Sequence, residues 1–168
     1  MHPVPRELAV VFAMAAATIV IHLVGLLGLT RLVALHLKHL RSPWLALDRL
    51  VVPLGIASGL FLLHFVEVLA YAGVYARAEA THDLDNAIYL SAGAYSTAGW
   101  PDVIVPKGWR LVAAFESLNG MLLLGWSTAY LFQTLQRILQ TDETHPLPEG
   151  AIATEPLEPL PEDPSFGA

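Results

Sequence analysis

Two acidic residues lie inside long apolar runs, where a carboxylate is costly unless it does something: Glu67 within Leu50–Ala76 and Glu116 within Leu111–Gln136. His64 precedes Glu67 by three residues, so on a helix the two side chains share a face. The pair is expected to make a structural bond that holds the short segment nearby, with hydrogen bonding to its irregular backbone or titration that gates a pathway as the functional alternative. As a metal site it offers two ligands and needs a third from elsewhere, so no metal site is assigned to it. Glu116 lies six residues beyond Arg110, about 9 Å along a helix. There it would brace a neighbouring short segment, in its own or an adjacent subunit, or act as a vestibule charge that attracts cations. Between the two runs comes Ser96-Thr97-Ala98-Gly99-Trp100-Pro101-Asp102. A helix ending at this loop would direct its negative dipole end along it, and successive carbonyls could then replace a cation's water shell. The Thr97 hydroxyl would add an inner ring of oxygens in an oligomer, and Asp102 would raise the local cation concentration outside. Gly120 and Gly125 are candidates for a hinge or for close helix contact.

The elements that must position these residues are apolar and long. Of the 168 residues, 55% are hydrophobic and 14% charged, against roughly 25% charged in an ordinary soluble domain. From Leu8 to Thr30 there are 23 residues without a charge, about 35 Å as helix and enough to cross a bilayer. The runs Leu50–Ala76 and Leu111–Gln136 carry one charge each and are also long enough. A cleaved signal peptide is the rival reading of the first run. It is disfavoured because MHPVPRE has no net positive charge in its side chains and the apolar run continues past Ala13, Ala15 and Ala17 to Leu29. Arg31, Lys38, Arg41, Arg49 and Arg137 flank the runs on one side, which predicts a cytoplasmic link and C-terminus and an N-terminus outside. Trp44 and Trp109 fall near opposite ends, as interfacial anchors would.

Residues 84–95, after the candidate caps Asp83 and Asp85, make a helix of about 18 Å, too short to span. A re-entrant half-span is predicted. Irregular backbone at that depth must be buried in protein or line an aqueous cavity, and three helices enclose such a cavity poorly, so symmetric oligomerisation follows. Residues 138–168 are predicted to be a disordered, acidic, Pro-rich cytoplasmic tail; from Thr141 onward they hold six of the 12 prolines and seven of the 15 acids.

Other classes of function are excluded or unsupported. A formal charge of −6 with no dense Lys/Arg run argues against nucleic acid as a partner. Without cysteine there is no disulfide framework, thiolate site or cysteine nucleophile. No catalytic spacing of Ser, His and Asp and no phosphate-binding glycine loop occurs, so an enzyme is not expected. No arginine row of the voltage-sensor kind is present.

The stretch AIYLSAGAYSTAGWPDVIVPKGWRLVAAFESLNGMLLLGWSTAYLF, residues 87–132, resembles the pore domain of the potassium channel superfamily, in particular the small bacterial channels with two pore-forming helices and a T-x-G-Y-G-D filter. Thr97, Ala98, Gly99, Trp100, Pro101 and Asp102 stand where such channels have Thr, Val, Gly, Tyr, Gly and Asp. The resemblance implies an all-α membrane protein, tetrameric around one pore, with three transmembrane helices per subunit plus a re-entrant pore helix and filter loop. It leaves outside it the N-terminal helix and basic link over 1–49, which the apolar run and the basic residues predict, and covers a pore domain over 50–137. Within that domain come an outer helix at 50–76, a pore helix near 84–95, a filter at 96–102 and an inner helix at 109–137. The bacterial inner membrane, lipid and homotetrameric partners, and no cofactor beyond permeating K+ or Na+ follow from the same likeness.

The departure lies at Pro101. Filter glycines adopt φ values that align carbonyls on the axis, whereas proline fixes φ near −65°, has no N–H and restricts Trp100 before it. Passive potassium conduction through the carbonyls of Thr97 to Trp100 is the expected activity. A poorly selective cation channel, or a non-conducting scaffold or regulatory subunit with a decayed filter, are the alternatives that Pro101 keeps open.

Overall fold

The computed structural model of the chain describes residues 4–39, 45–99 and 105–143, and among these every regular element is helical. Helix α1 covers Val4–His39, α2 Leu45–Arg77 and α3 Leu84–Tyr95; a 3-10 turn at Lys107–Trp109 leads directly into α4, Arg110–Glu143. The chain divides into a compact unit up to Thr134 and a second from Leu135. The helix packing that forms the site lies within the first.

The link expected over 31–49 is largely helix. Residues 31–39 contain neither Gly nor Pro and are rich in Leu, with Ala and Lys, so α1 continues through Arg31 and Lys38, and α2 has already begun at Leu45. Likewise α4 runs to Glu143, beyond the expected inner-helix end at 137. Arg41, Trp44, Trp100, Pro101, Asp102 and the tail from 144 lie outside the described residues.

By length and composition two described helices can cross a membrane, Pro5–His36 and Val51–Arg77. The third expected span, α4, matches them in length at 34 residues but is not apolar enough, because Glu116, Ser117, Asn119, Ser127 and Thr128 lie along it. Three of these turn inward: Glu116, Asn119 and Ser127 are buried together with Val112, Gly120 and Leu123, at the 3- and 4-residue spacing of one helix face. The opposite face exposes Leu118, Met121 and Leu122, as α1 exposes Phe12 and Leu32 and α2 exposes Phe61 and Leu62. Polar residues inside and bare apolar side chains outside suit lipid or further copies of the chain, not water.

Helix α2 stops in a left-handed cap. Glu79 has φ 53°, Ala80 N–H returns to the Tyr75 carbonyl at 2.9 Å, and Glu79 N–H reaches Ala76 at 3.3 Å. The chain reverses into α3, whose first turn is held by Asp83: its side chain accepts from Asn86 N–H at 2.8 Å. Buried Ala87 and Leu90 of α3 then pack on Tyr71, Ala72 and Tyr75 of α2, together with Val11 of α1 and Val112 of α4.

Candidate functional site

Three levels of buried polar contact tie the helices together, the first and third of them reaching α3. At the first, Glu116 of α4, 0% exposed, receives the Tyr75 hydroxyl at Oε2, 2.6 Å. Its Oε1 lies 2.6 Å from Ser91 Oγ of α3, which is also 2.9 Å from the Val68 carbonyl. One carboxylate thus joins α2, α3 and α4 within a single subunit. At the second level, Asn119 Nδ2 donates to Thr18 Oγ1 of α1 at 2.8 Å and lies 3.5 Å from the Tyr71 hydroxyl.

The third level lies under the C-terminal end of α3. The Tyr95 hydroxyl donates to Glu67 Oε2. His64 Nδ1 is 2.8 Å from the same hydroxyl and 3.1 Å from Glu67 Oε2, while His22 Nδ1 of α1 is 2.9 Å from Glu67 Oε1. Ser127 of α4 faces the far nitrogens, 2.9 Å from His64 Nε2 and 3.5 Å from His22 Nε2. His22 and Glu67 are 0% exposed. Of the roles expected for Glu67, a structural bond to the short helix is the one this contact resembles, although it is made to a side-chain hydroxyl and not to backbone. The backbone of α3 is helical and satisfies itself, so what needs an acceptor is the phenol that ends it.

The loop after α3 begins with Ser96, whose N–H and Oγ both reach the Ala92 carbonyl, at 3.1 and 2.7 Å. Thr97 N–H bonds Ala94 at 2.9 Å and Gly99 N–H bonds Gly93 at 3.0 Å, so the chain folds back over the helix end. Thr97 has φ 59° and Gly99 φ 62°. Glycine adopts that conformation freely, but for a β-branched threonine it costs about 1–3 kcal/mol, and such strain collects where backbone geometry serves a purpose. Residues 96–99 are exposed. Among the described residues no backbone hydrogen bond ends on the carbonyls of Thr97, Ala98 or Gly99. Backbone carbonyls at the negative end of a short helix are the elements of a cation site.

Gly120 is where α4 meets that end. A Cβ there would fall on the Tyr95 carbonyl oxygen and lie 2.9 Å from its carbon, whereas a Cβ at Gly125 would meet nothing within 4 Å. Helix α4 runs without a break through both. Sequence reasoning placed Glu67, His64 and Glu116 in this region but did not bring Tyr95, Ser91, Tyr75, Asn119, Thr18 and Ser127 into it. The readable signal was periodic: Thr18 and His22 are four apart within an uncharged run, and Glu116, Asn119 and Ser127 fall on one α4 face.

Residues 63–137 match the sequence model of a family described as ion channel. That stretch contains the C-terminal part of α2, α3, the loop and most of α4. No curated protein and no solved structure matches the chain.

Proposed function

We propose that this all-helical chain, which matches an ion channel family over residues 63–137, is a channel that passes cations passively, potassium first, through the backbone carbonyls of Thr97 to Trp100 in a homotetramer. The observation that carries the reading is the end of α3: a 12-residue helix, too short to span, anchored from α2 and α4 and followed by a turn with Thr97 and Gly99 at positive φ. Four copies around an axis turn such a turn into a ring of oxygens, with a further ring from Thr97 hydroxyls. Asp102 stands outside that ring as a cation attractor.

In this reading α4 is the third span and the pore-lining helix, its apolar face completed by neighbouring subunits or lipid. The basic residues Arg31, Lys38, Arg41, Arg49 and Arg137 lie in the cytoplasm and the N-terminus outside, in a bacterial inner membrane. Helix α1 packs outside the pore domain and contributes Thr18 and His22 to its support, a role that requires it to be retained.

The test is bi-ionic flux through the purified protein in planar bilayers. A reversal potential set by potassium supports the reading. Equal sodium and potassium permeability would mean that Pro101 has relaxed the filter, and Pro101→Gly should then restore discrimination. Silence across pH and voltage, with current appearing only in Pro101→Gly, would overturn conduction in favour of a non-conducting subunit.

A further inference from the structure

Glu67 and His64 supply two ligands from α2, and the fold brings a third to them from 45 residues earlier in the chain, His22 of α1. His22, His64 and Glu67 each offer one ligand atom, and these atoms all lie within 4.8 Å of one another. We propose that His22, His64 and Glu67 form a buried site for a divalent transition-metal ion of the zinc class, fastening α1 to α2 beneath the end of α3. This does not depend on whether the pore conducts.

Geometry and donor chemistry agree. Tetrahedral bonds of about 2.0–2.2 Å set ligand atoms about 3.3–3.5 Å apart. His22 Nδ1 lies 2.9 Å from Glu67 Oε1 and His64 Nδ1 3.1 Å from Glu67 Oε2, so small side-chain adjustments, some opening and some closing, bring three ligand atoms to that spacing. Two imidazoles and one carboxylate suit zinc, cobalt or nickel, whereas magnesium and calcium prefer oxygen alone. The Tyr95 hydroxyl, 2.8 Å from His64 Nδ1, or a water fills the fourth position. Ser127 supports the arrangement from behind: it faces Nε2 of both rings, leaving both Nδ1 atoms turned to the centre, the outer-shell role that orients metal-bound histidines.

Metal binding requires an unprotonated nitrogen on each imidazole and an ionised carboxylate. Binding therefore releases protons and weakens as pH falls. Occupancy would tie α1 directly to the helix that carries His64 and, through Tyr95, to the end of α3.

The experiment uses the full-length protein in lipid nanodiscs with Co2+ as the probe. The expected result near pH 8 is about one Co2+ per subunit with visible bands of tetrahedral intensity, removed by Zn2+. Ser127→Ala should keep the band shape and weaken binding about 10–100-fold, and His22→Gln and His64→Gln should weaken it by more. Wild-type protein that binds no Co2+, or gives only weak octahedral bands, overturns the proposal whether or not the variants fold. Undiminished binding in folded His22→Gln and His64→Gln overturns it as well.

Discussion

Replacing Gly120 with alanine tests whether the contact between α4 and the end of α3 fixes the loop that follows. The added Cβ would fall on the Tyr95 carbonyl oxygen, 2.9 Å from its carbon and 3.0 Å from its ring carbon Cγ. Ordinary contacts begin near 3.4 Å, so the carbon alone asks for about half an ångström and the oxygen for more. Neither side yields cheaply, because the obstacle is backbone pinned through Tyr95 to Glu67 and α4 is pinned through Glu116 to Ser91. Overpacking of this kind costs about 1–3 kcal/mol. Alanine also removes the helix penalty of glycine, about 1 kcal/mol. Gly125→Ala gains the same amount and meets nothing within 4 Å, so the difference between the two variants isolates the overlap. Thermal unfolding of both in one detergent should put Gly120→Ala below Gly125→Ala by about 1–3 kcal/mol, and bilayer recordings should show its ion permeability ratios altered. Equal stability and unchanged permeation in the two variants would refute the contact as the element that sets the loop.

Two further outcomes follow from the buried networks. Glu116→Ala leaves the Tyr75 hydroxyl without its acceptor, while Ser91 keeps the Val68 carbonyl; the unpaired phenol alone should lower stability by about 1–3 kcal/mol, and wild-type stability in thermal unfolding would contradict the assignment. Thr18→Val and Asn119→Leu should couple by about 0.5–1.5 kcal/mol in a double-mutant cycle, since Asn119 donates to Thr18 at 2.8 Å. Strict additivity would mean that α1 does not dock on α4 through this pair.

The helical class of the chain was legible because the signals are local. Long apolar runs without charge, an aspartate at 83 able to cap, and a short apolar segment after it require only nearest neighbours to act. The ion channel resemblance was equally legible, since it rests on contiguous residues around Thr97 and Gly99, and the match over 63–137 covers the same loop. Span counting by apolarity was less direct. Helix α4 carries polar groups that are compatible with a membrane only because the fold buries them, and composition alone does not say where they face.

The sequence by itself determined that helices form, that residues 84–95 are too short to cross, and that Glu67 and Glu116 needed partners. Which partners was a tertiary decision. His22 meets Glu67 across 45 positions, Asn119 meets Thr18 across 101, and Tyr95 is drawn beneath its own helix to the same carboxylate. Spacing along one helix cannot disclose such meetings, because they depend on the rotation and depth at which separate helices pack. The choice is settled by the cost of leaving a buried polar group unpaired, which is paid only once the helices are together.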